Sequence, residues 1–286
     1  MFHNYYLRPM LLEEVSKPFR DQDYLYEIKF DGIRAFIYVN KNEFKIISRN
    51  GNDLTKKYPE LREIQSIVGK SNVIFDGEVI ATRNGIPSFS LLQKRNRVKK
   101  VSDKLIEDIP VSFVAFDIIY DNKDLTSYSL IERKNFLEKY PDTGKFIKSK
   151  IYYDGKSLFK MVKKVGLEGI VAKKKDSIYS FGKRSWDWVK IKNIKVDHFL
   201  VHGYLEKTNT FSLLLGEYKN SELKYVGKVS VNKKHEIINI LQKMKKINNQ
   251  FVNFDEDGVF VKPIYEVRVH FLERTQSGML RHATLE

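Results

Sequence analysis

The amino-acid sequence predicts an α+β protein in which antiparallel sheets with a few helices are followed by a smaller β-barrel. Three features support this prediction. Short runs of β-branched and aromatic residues are separated by Asn-Gly and Asp-Gly turn signals. Capped helical segments interrupt these runs without the regular alternation of a parallel βαβ sheet. After Asn193 the order changes to three strands, one helix and two strands.

The strand predictions begin at Tyr24. Residues Tyr24 to Val39 form two runs around Asp31-Gly32, a pattern typical of two strands joined by a tight turn. Apolar or alternating runs predict four more strands, at Phe44 to Ser48, Val73 to Phe75, Val79 to Ala81 and Val111 to Tyr120. Asp76-Gly77-Glu78 separates two of these runs and predicts a second turn.

Two helices are predicted from their end signals. Ser129 with Glu132 three residues later is a capping box, and the helix that it opens is expected to run to Tyr140, before Pro141. A second helix is expected from about Lys156 to Val165, ending at Gly166 in a left-handed cap.

The chain after Asn193 has the element order of an OB-fold, a partly open barrel that binds oligonucleotides. The predicted elements are strands at Lys195 to Glu206, Phe211 to Tyr218 and Leu223 to Val229, a helix from about Lys233 to Lys246, and strands at Tyr265 to Glu273 and Leu280 to Ala283. We therefore place the domain boundary between residues 193 and 194.

Composition points to a polyanionic partner. The chain has 286 residues, and 51 Lys and Arg against 36 Asp and Glu give a net charge of +15. Such a charge indicates nucleic acid or an acidic membrane surface. No apolar run approaches the ~20 residues of a membrane span, and the first residues lack a secretory-signal pattern. Cysteine is absent, which excludes disulfides and thiolate zinc sites. A cytoplasmic location is expected.

The sharpest local motif is the segment Glu27 to Arg34. A lysine at the end of one strand and an arginine at the start of the next would place Lys29 and Arg34 on one side of a hairpin, an arrangement that suits phosphate. The alternative is an exposed hairpin with solvated charges.

Five further segments follow in order: Ser48-Arg49-Asn50-Gly51, Phe75-Asp76-Gly77-Glu78, Phe113 to Tyr120, Glu168-Gly169-Ile170-Val171-Ala172-Lys173 and Trp188-Val189-Lys190-Ile191-Lys192. With the Lys29 turn they resemble the covalent nucleotidyltransferases, specifically small bacterial ATP-dependent DNA ligases and the ligase module of bacterial end-joining enzymes. The resemblance implies a nucleotidyltransferase (adenylation) domain with ATP-grasp-like antiparallel sheets over residues 1–193 and an OB-fold domain over 194–286.

The resemblance also implies a mechanism and cofactors. Lys29 would attack the α-phosphate of ATP and carry AMP, the adenylate would move to the 5′-phosphate of a nick, and the 3′-hydroxyl would displace AMP. Because a lysine amine must lose its proton before it attacks, we expect nearby cations, namely Arg34, Lys190 and Lys192, to favour the neutral form. Mg²⁺ or Mn²⁺ would be held by Glu168, with Glu78 or Asp31.

The remaining roles come from the same resemblance. Arg49 and Glu78 would contact the ribose or the nick phosphate, Glu27 would lie near the adenine amino group, and Phe116 would stack on the purine. Lys190 and Lys192, two residues apart on a strand, would both face the phosphates. The alternatives are a core role for Phe116, a solvated edge strand for the two lysines and a plain hairpin turn around Gly77. Asp117 is expected to orient a loop.

The basic run beside these motifs is interpreted as a DNA contact. Its cations are Lys94, Arg95, Arg97, Lys99 and Lys100. They would neutralise several backbone phosphates and make binding sensitive to salt. The alternative is solvated surface.

Two departures from the family are visible. The residues before Lys29 leave no room for the helical DNA-binding domain of larger relatives. We also expect the chain to lack the family's Arg-x-Asp-Lys element, so that either Arg274, Arg281 or Lys262 substitutes for it or the first step is slow.

The leading hypothesis is therefore a monomeric ATP-dependent DNA ligase that acts on nicked DNA in repair or end joining, in the bacterial cytoplasm, with a Ku-like protein as a candidate partner. The alternatives are an RNA ligase, an mRNA-capping nucleotidyltransferase, or a non-catalytic nucleic-acid binding protein on a ligase core.

Overall fold

The computed structural model describes residues 1–208, 210–232, 234–275 and 277–286. The chain divides into two compact units, Met1–Asn193 and Ile194–Glu286. No helix of the described residues is long and apolar enough to cross a membrane.

The first unit contains most of the helices. Its strands are β1 (Leu11–Glu14), β2 (Tyr24–Lys29), β3 (Ile33–Val39), β4 (Phe44–Ser48), β5 (Val73–Arg83), β6 (Ile86–Pro87), β7 (Val111–Asp121), β8 (Phe146–Lys148), β9 (Gly169–Lys174) and β10 (Arg184–Lys192). Its helices are a 3₁₀ helix at Pro59–Ile64, α1 (Gln65–Val68), α2 (Phe89–Arg97), α3 (Asp103–Asp108), α4 (Leu130–Leu137) and α5 (Gly155–Val165).

These strands form two sheets. One has the order β1-β10-β9-β2, and the other has the order β4-β3-β5-β7-β8, with β6 paired to β5. Most neighbours are antiparallel, as predicted; β1–β10 and β7–β8 are parallel. Leu25 of β2, Phe36 of β3 and Trp188 of β10 belong to one apolar cluster and are buried, so side chains of the two sheets pack against each other.

Two turn predictions are wrong. Strands β2 and β3 form where expected, but β2 pairs with β9 and β3 pairs with β4 and β5. The Asp31-Gly32 segment therefore connects two sheets, because β2 and β3 do not pair with each other. Likewise β5 runs unbroken through Gly77, and a shift in its register with β7 falls at Asp76/Gly77. A Cβ on Gly77 would lie 2.4 Å from the Phe113 ring, so glycine permits close strand packing there.

The helix signals are confirmed. The Ser129 hydroxyl accepts from the Glu132 N–H and the Glu132 carboxylate accepts from the Ser129 N–H, which forms the capping box of α4. Helix α4 ends at Leu137, three residues before the predicted end. Helix α5 ends at Val165 and is capped by Gly166, whose φ of 81° is left-handed.

The second unit is mainly β-sheet. Its strands are β11 (Lys195–Glu206), β12 (Phe211–Lys219), β13 (Glu222–Val231), β14 (Lys246–Ile247), β15 (Val259–Val261), β16 (Glu266–Phe271), β17 (Glu273–Arg274), β18 (Leu280–Arg281) and β19 (Thr284–Leu285), with one helix, α6 (Glu236–Lys243). Lys233, the first residue of the predicted helix, lies outside the described residues. Strands β13-β12-β11-β15-β14 follow one another in the main sheet, and β16 pairs with β11 and β19.

Candidate active site

The register of the first sheet brings the predicted lysines to one surface. Lys29 of β2 and Lys192 of β10 both lie opposite Gly169 of β9. One step further along, Glu27 and Lys190 lie opposite Val171. Since residues two apart on a strand share a face, the side chains of Glu27, Lys29, Lys190 and Lys192 leave the same side of the sheet.

Lys29 is paired with a carboxylate. Its Nζ lies 2.7 Å from Oε1 and 2.8 Å from Oε2 of Glu168. The two side chains retain 22% and 12% of their exposure. Gly169, which follows Glu168, lets β9 lie close to β10, since its φ is +156° and a Cβ there would lie 2.2 Å from the Ile191 carbonyl oxygen.

The predicted cluster of cations around Lys29 is arranged differently. Lys190 and Lys192 are bound by Glu14 of β1, at 3.2 and 2.9 Å. Burial opposes ionisation of Glu14, but hydrogen bonds from Lys192 and Lys190 outweigh it and lower its pKa. Both lysines are thus paired with a carboxylate of β1, and their effect on the Lys29 amine stays a prediction.

A cavity opens beside Lys29. It is lined by Leu12, Glu27, Ile28, Lys29, Phe30, Arg34, Glu78, Phe116, Val171, Lys173 and Trp188. Asp31, predicted as a metal ligand, is not among these residues. The cavity measures about 60 Å³, well below the ~300 Å³ at the lower end of ligand pockets.

Side chains on the Phe116 ring account for this narrowness. The Arg34 guanidinium lies 5.2 Å and Lys173 Nζ lies 4.4 Å from the ring centroid. Phe116 is half-buried and faces the cavity, as predicted, but these two cations cover its ring. A purine can stack on Phe116 only after one of them moves aside.

Arg34 is held internally, in contrast to the predicted phosphate-facing role. Its guanidinium forms two bonds to Asp76, at 3.1 and 2.7 Å, and donates to the Met10 carbonyl at 2.7 Å. Asp76 is fully buried and also accepts from the Tyr179 hydroxyl at 2.6 Å. Two N–H groups of the planar Arg34 guanidinium therefore already bind one carboxylate in a bidentate arrangement.

Glu27 lies at the bottom of the cavity between two lysines. One carboxylate oxygen is bound by Lys134 of α4, and the other lies 3.0 Å from Lys173 Nζ. Burial raises the pKa of Glu27, but the charges of Lys134 and Lys173 outweigh it and the pKa is lowered. For Lys173, burial prevails over its attraction to Glu27 and lowers the pKa to about 8.

Glu78 is the second carboxyl near Lys29. Burial raises its pKa to about 8, against the opposing charges of Lys29 and Arg34. Among the described residues no group of three or more Asp, Glu or His side chains could hold a metal ion. A magnesium ion that keeps several waters and binds substrate phosphates needs only one or two protein carboxylates. The oxygen donors of Glu168 and Glu78 fit such an ion.

Arg49 lies away from this cavity. Its backbone N–H donates to the Arg34 carbonyl at 2.9 Å, while the residue lines a separate hollow with Arg8. Arg49 and Glu78 were both predicted to contact the ribose or the nick phosphate. Glu78 lines the cavity beside Lys29, whereas Arg49 lines the separate hollow.

One of the five predicted DNA contacts is wrong. Arg95 is fully buried, bonded to Glu60 at 2.8 and 3.1 Å and to the carbonyls of Lys57 and Ile109. It points inward from α2 and supports the fold. Lys94, Arg97, Lys99 and Lys100 are exposed at the end of α2 and after it.

Sequence reasoning missed several residues that shape the site. They are Met10, Glu14, Lys134, Lys173 and Tyr179. Lys173 stood inside a quoted motif, but nothing in the local pattern marked its side chain as a cavity residue. The others lie far along the chain from the residues that they contact. Asp117, expected to orient a loop, pairs with Arg133, which donates to the carbonyls of Tyr128 and Ser177.

Comparison with known proteins identifies the family. Residues 9–192 match the model of the ATP dependent DNA ligase domain, and residues 206–286 match that of the ATP dependent DNA ligase C terminal region. The SPbeta prophage-derived DNA ligase-like protein LigB of Bacillus subtilis is 30% identical, with 98% of each chain covered. The multifunctional non-homologous end joining protein LigD of Mycolicibacterium smegmatis is 30% identical over 96% of this chain, which spans 37% of that protein.

A solved structure extends the likeness to the fold. Mycobacterial DNA ligase D complexed with ATP and MES superposes with a TM-score of 0.62 at 26% identity, covering 99% of this chain and 95% of the other. The predicted nucleotidyltransferase fold with an OB-like C-terminal region is thereby confirmed. The chain belongs to the ATP-dependent DNA ligase family.

Proposed function

We propose that this chain seals nicks between a 3′-hydroxyl and a 5′-phosphate in duplex DNA, with Lys29 as the residue that carries AMP. The observation that supports this most strongly is the placement of Lys29. Its Nζ lies at the edge of the cavity, held by Glu168. It shares a sheet face with Lys190 and Lys192.

In the first step the Lys29 ammonium gives one proton to Glu168, which lies 2.7 Å away, or to water. The neutral amine then forms a bond to the α-phosphorus of ATP, the bond from that phosphorus to the pyrophosphate oxygen breaks, and the second amine proton passes to pyrophosphate or water. Lys190 and Lys192 exchange Glu14 for phosphate oxygens and neutralise their charge, which is the main requirement of phosphoryl transfer. Among the described residues, Glu14 is the one carboxylate partner that each of these lysines has to give up.

Two transfers complete the reaction. An oxygen of the DNA 5′-phosphate attacks the AMP phosphorus, and the phosphorus–nitrogen bond breaks to free Lys29. The 3′-hydroxyl then attacks the 5′-phosphate phosphorus, its proton leaves, and AMP departs.

Glu168 and Glu78 are the residues that would hold Mg²⁺. When bound, the ion supplies positive charge to the phosphates and weakens the hold of Glu168 on the lysine proton. Because Glu78 has a raised pKa, its use as a ligand requires it to lose a proton.

The base binds over Phe116 after Arg34 or Lys173 withdraws from the ring. Glu27 is the residue that meets the adenine amino group, and Lys134 fixes the position of its carboxylate also when Lys173 withdraws from Phe116. Adenine recognition thus rests on a carboxylate that cannot rotate freely.

For DNA, we propose that Lys94, Arg97, Lys99 and Lys100 contact backbone phosphates. They are exposed and add to a chain with a net charge of +15. We further propose a monomeric enzyme of the bacterial cytoplasm that acts in repair, including end joining, with a Ku-like protein as a recruiting partner. The names of the LigD relatives support end joining.

The test is a pulse and chase. The protein is incubated with ATP labelled at the α-phosphate and Mg²⁺, and then nicked duplex DNA is added. We expect label on the protein that moves to DNA and finally to free AMP as the nick is sealed. Labelling from GTP instead would favour a capping enzyme, label that moves only to nicked RNA would favour an RNA ligase, and no labelling would favour a non-catalytic binding protein.

A further inference from the structure

The N-terminal segment forms one wall of a second depression, separate from the cavity beside Lys29. This hollow of about 500 Å³ is lined by Tyr6, Arg8, Leu11, Arg49, Gly51 and Gly182, among others. Its size falls within the ~300–1,000 Å³ of sites for small ligands.

The wall is firmly attached to the protein. Phe2 and Met10 are buried, the Tyr38 hydroxyl donates to the Asn4 carbonyl at 2.9 Å, and the Gly182 N–H donates to the Arg8 carbonyl at 2.9 Å. Between these fixed points the Tyr6 side chain remains 88% exposed. An aromatic ring held on an ordered segment yet left uncovered is a surface on which a base can stack.

The hollow is cationic. Arg8 and Arg49 both line it, and both are exposed. Among the described residues neither guanidinium has a carboxylate within ion-pair distance, whereas Arg34, Arg95 and Arg133 each have one. The aliphatic part of Arg8 lies against Gly182, where a Cβ would be 3.5 Å from the Arg8 Cβ. Planar guanidinium groups without a protein anion suit phosphate oxygens.

The hollow and the cavity are neighbours along the chain. Leu11 lines the hollow and Leu12 lines the cavity, because successive residues of strand β1 point to opposite sides. The Arg49 N–H is also bonded to the carbonyl of Arg34, whose side chain lines the cavity. A nucleic-acid strand that occupies the hollow therefore ends or passes close to the cavity.

We propose that this hollow binds one nucleotide of the DNA strand, with Arg8 and Arg49 on its phosphate and Tyr6 stacked on a base. Tyr6 and Arg8 of the N-terminal segment then belong to the DNA-binding surface. This assignment rests on the proposed nick-sealing function and adds Arg8 and Tyr6 to it. The phosphate is either the 5′-terminal phosphate of the nick or an internal phosphodiester.

The experiment measures binding of the full chain to nicked duplex DNA over a range of salt concentrations. Arg8→Gln and Tyr6→Ala are compared with matched controls outside the hollow, Arg20→Gln and Tyr153→Ala, whose side chains are 72% and 67% exposed. Arg8→Gln should weaken binding about tenfold and reduce the salt slope by about 1, as expected for a lost phosphate contact. Tyr6→Ala should weaken binding at least about fivefold with an unchanged salt slope. The controls should bind like the wild type.

Two DNA substrates distinguish the source of the phosphate. If Arg8→Gln weakens binding only when the nick carries a 5′-phosphate, the hollow holds the terminal phosphate. If it weakens binding equally when the nick carries a 5′-hydroxyl, the hollow holds an internal phosphodiester. If both hollow variants bind either DNA as tightly as the controls, with unchanged thermal unfolding, the hollow is not a DNA site. Failure of the wild type to accept label from ATP would instead refute the proposed function itself.

Discussion

The ion pairs on the sheet face that carries Lys29 differ from the pair between Arg133 and Asp117. On that face, Lys29, Lys190 and Lys192 are partly exposed, and the structure gives each of them one carboxylate partner. Arg133 and Asp117 are both fully buried, joined by two bonds of 2.9 Å. Arg133 also donates to two backbone carbonyls, at 2.6 and 3.0 Å.

This difference separates charges used for reaction from charges used for structure. A cation with one partly hydrated partner can exchange it for phosphate at small cost, because exposed pairs contribute only about 0–1 kcal/mol. A buried pair with every hydrogen bond satisfied cannot, because removal of one partner leaves an uncompensated charge in the interior.

The most direct test of this difference compares the free energies of unfolding of two variants, Arg133→Met and Lys192→Met. The first leaves Asp117 unpaired in the interior, and we expect a loss of about 3–5 kcal/mol in the free energy of unfolding. The second should change it by no more than about 1 kcal/mol. Denaturant unfolding of the full chain measures both. Equal losses would contradict the division into two kinds of pair.

A substitution of Glu168 tests whether the carboxylate that pairs with Lys29 takes part in the reaction. Glu168→Gln keeps the shape of the side chain but removes the charge that holds Lys29 and the metal. We expect labelling by ATP to slow about 10²–10³-fold, comparable to loss of a group that stabilises transition-state charge. Unfolding should change little. Wild-type labelling rates in this variant would show that the carboxylate has no part in the reaction.

Arg95 and Arg97 of α2 allow a second comparison of a buried with an exposed cation, with smaller expected effects. Arg95→Gln should lower the free energy of unfolding by about 2 kcal/mol, because it leaves Glu60 and two carbonyls without their donor. Arg97→Gln should leave unfolding unchanged and reduce the salt slope of DNA binding by about 1. Unfolding curves and salt titrations distinguish the two, and a reversed pattern would contradict the inward orientation of Arg95.

Much of the fold could be predicted from local signals. The capping box at Ser129 and the glycine cap at Gly166 act within one helical turn, so their residues suffice to locate them. Strand pairing was not predictable in the same way. The Asp31-Gly32 segment looks like a hairpin, yet β2 and β3 pair in different sheets, because long-range contacts with β9 and β5 decide their partners.

The candidate site shows the same limit. Lys29, Lys190, Lys192 and Glu168 were predicted from motifs that resemble those of the ligase family. Glu14, which binds Lys190 and Lys192, and Lys134, which binds Glu27, were not predicted, because no local sequence pattern distinguishes them. Arg95 and Arg97 belong to one basic run, and only the direction of α2 determines which of them is exposed.

The raised pKa of Glu78 predicts that the free energy of unfolding depends on pH. An acid whose pKa is raised to about 8 in the folded state stays protonated there while the unfolded chain ionises near pH 4 to 5. Stability from this group is therefore complete below the unfolded pKa and is lost as pH rises toward 8. Glu78→Gln should show a smaller decline in unfolding free energy over this interval. Parallel pH profiles for both proteins would contradict it.

A second pH dependence is expected in the second unit. His202 is buried, and neither ring nitrogen has a hydrogen-bond partner among the described residues. Burial lowers its pKa to about 4. Because the unfolded pKa is about 6.5, the stability from neutral His202 is present above pH 6.5 and is lost as pH falls toward 4. His202→Phe should remove part of this acid sensitivity, which thermal unfolding from pH 7 to pH 4 measures.

The central claim is that Lys29 forms the covalent bond to AMP. Its direct test is mass spectrometry of the protein after incubation with ATP and Mg²⁺, followed by peptide mapping, with Lys29→Arg as the control. We expect one added AMP, located on Lys29 and absent from the variant, in which a guanidinium replaces the amine. AMP on any other residue, or AMP still bound covalently to Lys29→Arg, would contradict the claim.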